Sequence, residues 1–304
     1  MRPTLLARAV GRSRREVRQL VEPPAAAMWR RRVLERAVDV TASSAERSCL
    51  VLAPHPDDET IGCGATIARK RAAGTPVRVV VATDGRHSHR SRVLGPDQLA
   101  AVRATEVADA CAELGVEPDQ LILLGHHEGT LSDDTGLLVD QIHEQISEFA
   151  PDEVLVTSGR DWHLDHQELN SAAHLAVARL DESARPTVRE FPVWLWADGP
   201  WRGPSRPRRA TAALSPLAEA RTLRVERVAT AGFVEAKRRA LACHRSQTSN
   251  ITGEAEWPVL DQAFVESFLG ASEVFLEPAE LDRRPDRAPS AVPSPDRSTT
   301  RSRT

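Results

Sequence analysis

Leu50-Val51-Leu52-Ala53-Pro54-His55-Pro56-Asp57-Asp58-Glu59 is the stretch that decides the fold. It begins with a short unbroken apolar run, the pattern of a strand covered on both faces. It ends in acids, which suit the start of a helix because carboxylates offset the helix dipole and cap free backbone amides. A helix is predicted over 59–73, where apolar residues recur three and four apart. The alternation continues downstream. Residues 77–82, 121–124 and 154–156 read as buried strands, and 97–114, 136–149 and 165–180 as amphipathic helices. The order βαβαβαβα predicts a parallel sheet with helices on both faces. In such sheets sites form beyond the carboxyl ends of the strands. The residues just after each strand are therefore the first place to look for chemistry.

Bulk properties agree with a folded domain and exclude several functions. Of 304 residues, 41% are hydrophobic and 27% charged, ordinary for a soluble protein able to bury a core. A net charge of -3 argues against a nucleic-acid partner, because phosphate binding needs a basic surface. The basic side chains are nearly all arginine, with Lys70 and Lys237 the only lysines. Cys49, Cys63, Cys111 and Cys243 form no C-x-x-C pair, so neither a disulfide framework nor a thiolate zinc site is predicted. Met1 to Leu20 carries arginines throughout and lacks an apolar core, and no stretch approaches the roughly 18 apolar residues of a membrane span. The cytoplasm is the expected location. Residues 1–48 read as an Arg-rich helical extension, with Leu5, Leu6, Val10, Val17, Leu20 and Val21 at helical spacing, packed on a catalytic domain of 49–277. The Pro, Ser, Asp and Arg composition of 278–304 predicts a disordered tail.

Two strand ends concentrate metal-ligating residues. The first predicted strand is followed by His55 and the acids Asp57, Asp58 and Glu59; the fourth is followed by Asp161-Trp162-His163-Leu164-Asp165-His166. Helix capping explains one acid of the first group, and a single loop histidine needs no explanation. A histidine beside three acids, facing two histidines around an aspartate, does need one. Together these segments supply two imidazoles and a carboxylate for a divalent ion, with a third imidazole and further carboxylates left for proton transfer. Catalytic zinc sites keep three protein ligands and an open position.

With three further segments these complete a recognisable pattern. His55 to Glu59, the Thr83-Asp84-Gly85 turn, Arg103-x-x-Glu106 ahead of Leu114-Gly115, His163-x-Asp165-His166 and Lys237-x-x-x-Leu241-x-x-His244-x-Ser246-Gln247 together resemble the PIG-L/LmbE-like deacetylases over residues 49–250. That family includes the N-acetylglucosaminyl-phosphatidylinositol deacetylases and the mycothiol and bacillithiol pathway deacetylases. The resemblance implies an α/β, Rossmann-like three-layer sandwich with a mainly parallel sheet. It implies zinc, with Fe2+ as the other divalent candidate, held by His55, Asp58 and His166. It also implies Asp57 as general base, and His163, oriented by Asp165, as the group that meets the tetrahedral intermediate. The implied activity is removal of an N-acetyl group from a small N-acylated amino sugar or glycoconjugate. General chemistry supports those roles: zinc lowers the pKa of a bound water to about 7, where a nearby carboxylate can take its proton.

Two positions depart from the family pattern. Some members carry a catalytic tyrosine shortly before the H-x-D-H segment, and this chain has no tyrosine. Where the family often has Asp-Gly after the third strand, this chain has His127-Glu128-Gly129, which makes Glu128 a candidate substrate contact. Arg103 is a second such candidate, with an ion pair to Glu106 one turn away as its structural alternative. Gly62-Cys63-Gly64 lacks the third glycine of a dinucleotide loop, Ile67 standing there, and is expected to serve close helix packing. His87 and His89 read first as solvated loop residues. Trp194 and Trp196 read as core, with Trp201 open between core and sugar stacking. Two other functions fit the same residues: an iron enzyme using the two histidines and a carboxylate, and a glycan-binding module without catalysis. The base Asp57 weighs against the first. The intact set of ligands, base and acid weighs against the second. The sequence leaves the oligomeric state open.

Overall fold

The computed structural model describes residues 25–201 and 220–278. Among them, eight strands form one mixed, mainly parallel sheet in the order β1-β7-β8-β6-β5-β2-β3-β4. The strands are β1 Val38–Asp39, β2 Cys49–Ala53, β3 Val77–Thr83, β4 Leu121–His126, β5 Glu153–Thr157, β6 Thr187–Phe191, β7 Val225–Ala229 and β8 Ser272–Leu276. Strand β8 is the exception to the parallel pairing, running antiparallel between β6 and β7.

The apolar runs are continuous because both faces are covered. Cys49, Val51 and Ala53 of β2 face one core, and Leu50 and Leu52 face the other. Helices α1 (Asp58–Ala72), α2 (Pro96–Glu113) and α5 (Val234–Cys243) cover the first face. Helices α3 (Thr135–Phe149) and α4 (Leu164–Ala178) cover the second. The result is the expected α/β sandwich.

From β2 the chain winds outward through β3 and β4 on one side, then returns to place β5 and β6 on the other. The junction of β2 and β5 is thus the point where strand order reverses, where open parallel sheets form their binding crevice. Four register pairs, from Cys49 with Glu153 to Leu52 with Val156, bring the two strand ends side by side.

Helix α1 leaves this junction and breaks at Cys63, whose backbone is non-helical. The amides of Ala65 and Thr66 past the break donate to the Glu273 carboxylate on β8, at 2.8 and 2.7 Å. A β-carbon on Gly62 would fall 2.1 Å from the Phe191 ring, so a side chain has no room there. Close packing is indeed what this glycine permits. Both lysines are fully buried in ion pairs, Lys70 with Glu153 at 2.5 Å and Lys237 with Glu273 at 2.7 Å. No described helix is long and apolar enough to cross a membrane.

The apolar positions 5–21 lie outside the described residues, as does the segment beyond Pro278. Residues 25–34 are helical and bury Trp29 and Val33 in the core of the first face. Arg30 donates to the carbonyls of Trp196 and Ala197, β1 pairs with β7, and buried Lys70 donates to the carbonyl of Ser44. Part of the segment read as an extension therefore completes the sheet and the core. Burying Trp29 and Val33 alone contributes about 3–6 kcal/mol, a large share of the roughly 5–15 kcal/mol that stabilises a domain. A chain starting at Glu46 should consequently unfold at a much lower temperature than the full chain, or fail to fold. Equal melting temperatures would show that these contacts are dispensable.

Candidate metal centre and active site

The turn after β2 is latched to its neighbour: the backbone amide and hydroxyl of Thr83 donate to the Pro54 carbonyl at 2.9 and 2.8 Å. This sets His55, Asp57 and Asp58 at the mouth of the crevice, each at least nine-tenths buried. Asp58 Oδ2 lies 3.0 Å from His55 Nδ1 and 3.3 Å from His166 Nε2. Two imidazoles from different strand ends thus converge on one carboxylate oxygen. The ring of His163 stands 4.6 Å from that of His55 and 5.2 Å from that of His166. One nitrogen from each of the three histidines falls within 4.8 Å of the others.

Buried polar atoms without hydrogen bonds point to a missing group. His166 Nε2 and His163 Nδ1 are both buried and lack a hydrogen-bond partner; the 3.3 Å approach of His166 to Asp58 is off alignment for one. An unsatisfied buried donor or acceptor costs about 1–3 kcal/mol. A divalent ion would satisfy His166 Nε2, and imidazole with carboxylate is a donor set zinc accepts.

The charges tell the same story. Burial pushes Asp58 upward, but the neighbouring rings of His166 and His55 outweigh it and hold the carboxyl well below its ordinary range. Burial lowers both histidines, yet hydrogen bonds and charge from Asp165 and Asp58 raise His55 to about 9, and Asp58 and Asp161 raise His166 to about 10. Burial, then the charges of His55 and His166, push His163 down to about 4, so it is neutral near pH 7.

Asp57 is a different kind of acid. Burial raises it to about 6, with the Arg103 guanidinium pulling the other way. Arg103 Nη2 lies 3.1 Å from Asp57 Oδ2 and donates to the Pro56 carbonyl at 2.8 Å. Gly85, at φ +65°, makes room for it, since a β-carbon there would sit 2.3 Å from Nη1. Arg103 touches the pocket, but its charge partner is the candidate base rather than Glu106. Glu106 instead accepts from the backbone amide and hydroxyl of Ser246 at 2.7 and 2.6 Å. Glu59 accepts the Asp57 amide at 3.0 Å and lies 3.4 Å from His244 Nε2. The C-terminal His244-x-Ser246 segment thus braces the site from below.

Two second partners differ from the sequence reading. Asp165, expected to orient His163, has its Oδ2 3.1 Å from His55 Nε2 and accepts the Gly129 amide at 2.8 Å. Asp161, given no role from the sequence, orients His166: its Oδ2 is 2.8 Å from Nδ1, and its two oxygens accept the amides of Val193 and Leu195. The Asp161 carboxylate thereby fixes which ring nitrogen of His166 faces Asp58. An aspartate five residues before a candidate ligand at a strand end was the available signal.

His55, Asp57, Asp58, Arg103 and His163 open into one cavity of about 280 Å³. Glu128 lines it, held by the His87 amide at 2.9 Å. His89 lines it too, stacked on Trp257 at 4.2 Å and tied to the Pro258 carbonyl. His87 is exposed, as expected, whereas His89 is part-buried in the cavity lining. Trp196 is core, as expected, whereas Trp194 faces the cavity. Trp201 packs against the core of the first face.

The family model described as PIG-L: GlcNAc-PI de-N-acetylase matches residues 50–177. A probable N-acetyl-alpha-D-glucosaminyl L-malate deacetylase 2 of Bacillus cereus is 31% identical over 153 residues, covering 49% of this chain and 69% of the relative. The chain belongs to the PIG-L family. Within it, a 1D-myo-inositol 2-acetamido-2-deoxy-alpha-D-glucopyranoside deacetylase of Salinispora arenicola is 42% identical over 85 residues, 26% of this chain and 27% of that relative. The PIG-L fold is evident in the N,N'-diacetylchitobiose deacetylase of Pyrococcus horikoshii, with a TM-score of 0.53 at 21% identity over 90% of this chain and 93% of that one. These relatives are deacetylases of N-acetylated amino sugars, and this chain is an enzyme of their family.

Metal binding gives a direct check on the site. His166→Ala should abolish stoichiometric zinc, whereas His163→Ala should retain it if His55, Asp58 and His166 are the ligands. Zinc retained in full by the first variant, or lost in the second, would reassign the ligands. Because protons compete for rings titrating near 9 and 10 in the metal-free protein, zinc affinity should rise between pH 6 and 8 and binding should release protons.

Proposed function

We propose that the chain is a metal-dependent, cytoplasmic N-deacetylase acting on an N-acetylated amino sugar or a conjugate of one. The observation that carries this reading is the buried acid Asp57, raised to about 6, lining one cavity with His55, Asp58 and His163, while His166 Nε2 lies 3.3 Å from Asp58. His55, Asp58 and His166 would hold the ion. When bound, zinc or Fe2+ supplies a Lewis acid and lowers the pKa of water to about 7.

The chain's own residues divide the remaining work. Asp57 accepts a proton from the attacking water. Its Oδ2 faces Arg103, which leaves the other oxygen to take the proton. The guanidinium keeps the carboxylate ionised in a site where burial favours the neutral acid. His163 is neutral at working pH, and its unpartnered ring offers an N–H to the amide oxygen as charge develops there. Glu128 reaches the cavity with its carboxylate fixed by backbone and is placed to accept from sugar hydroxyls.

Acetate release from a panel of N-acetylglucosamine conjugates, with zinc added back after chelation, tests the activity. Since Asp57 must be ionised to act, kcat/KM should fall as pH drops through about 6. Asp57→Asn should lower kcat by about a hundredfold to ten-thousandfold with zinc content kept. Removing the guanidinium in Arg103→Gln should move the acid limb to higher pH. An unchanged limb in that variant would mean another group sets it.

A further inference from the structure

The cavity that holds His55, Asp57, Asp58 and His163 is also lined by the apolar side chains of Ile61, Val193, Trp194, Val259, Leu260 and Phe264. Trp194 packs 4.8 Å from Trp162 and 5.2 Å from Phe264 between ring centroids. Large apolar side chains here meet solvent, with Trp162 36% and Val259 48% exposed. Leu164, on the other flank of His163, is 70% exposed. The protein thus leaves large apolar side chains wet beside its reacting centre, and apolar surface of this kind marks a binding site.

An acetyl methyl fills one small apolar contact, and a pyranose presents one C–H face to a single aromatic ring. Neither uses a wall of six apolar side chains continuing to the cavity mouth. What sits on this wall is joined covalently to the reacting amide, because wall and cluster share one cavity. We infer that the true substrate carries an apolar substituent, an alkyl or aryl group larger than a methyl, seated on the Trp194, Val259, Leu260 and Phe264 side. This rests on the deacetylase reading and narrows its substrate class. The shared chemistry has two sources, an acyl chain longer than acetyl or an apolar aglycone.

Two substrate series separate them in the zinc-loaded full-length protein. One varies the acyl group on methyl glucosaminide from acetyl through butanoyl to hexanoyl. The other keeps N-acetyl and varies the glycoside from methyl through butyl to hexyl. Each methylene buried is worth about fourfold, so kcat/KM should climb about tenfold or more along one series. A rise along the first places the wall on the acyl side, and a rise along the second on the aglycone side. Val259→Asn, at an exposed position that should not disturb folding, and Trp194→Ala should both flatten the rising series. Calorimetric affinity for the same compounds gives a readout independent of turnover. If no compound is hydrolysed, the deacetylase reading fails while the affinity gradient still decides this inference. Flat series in both rate and affinity would overturn it.

Discussion

Parallel pairing of β2 with β5 is the constraint on which the site depends. His55 and Asp165 are 110 positions apart in the chain, yet their side chains meet at 3.1 Å because the two strands end in register. No local propensity brings them together. The hydrophobic cores on the two faces of the sheet do, by forcing Leu50, Leu52, Val154 and Val156 onto one face and their alternates onto the other. A one-residue slip of either strand would exchange the faces and separate the two loops. The chemistry of the cluster is therefore secured by packing some distance below it.

Around that junction the protein spends polar groups where apolar ones would be simpler. Arg103, Glu59, Glu106, Lys237 and Glu273 are all buried, and each has a defined charged or backbone partner. Losing one member of such a pair strands the other and typically costs about 3–5 kcal/mol. These contacts tie the second half of the chain to the strand-end loops: Glu273 caps the broken helix α1, and Ser246 meets Glu106 on α2. The C-terminal segment thus buttresses a site whose candidate ligands all lie before residue 167.

The first four core strands and four helices were legible because buried parallel strands read as unbroken apolar runs and the intervening helices keep a clear period. Strands β6, β7 and β8 were not. They contain Arg189, Glu190, Glu226, Arg227 and Glu273, and look too polar for a sheet until their partners are known: Arg189 pairs with Glu226, and Glu273 with Lys237. The gathering of His55, Asp58, His163 and His166 followed from strand-end placement. Their partners did not, since sequence separation hides that Arg103 meets Asp57, that Asp165 meets His55, and that Asp161 meets His166. Trp194 read as core because an apolar cavity wall has the same composition as a core.

The central claim is a divalent ion held where β2 and β5 end. Anomalous diffraction at the zinc edge, on crystals of the zinc-loaded protein, tests it most directly. The account predicts one strong peak bonded to His55, Asp58 and His166, with the His163 ring and the Asp57 carboxylate nearby but not bonded to it. A peak ligated by His163 in place of Asp58, or no peak at this strand junction in active protein, would contradict it.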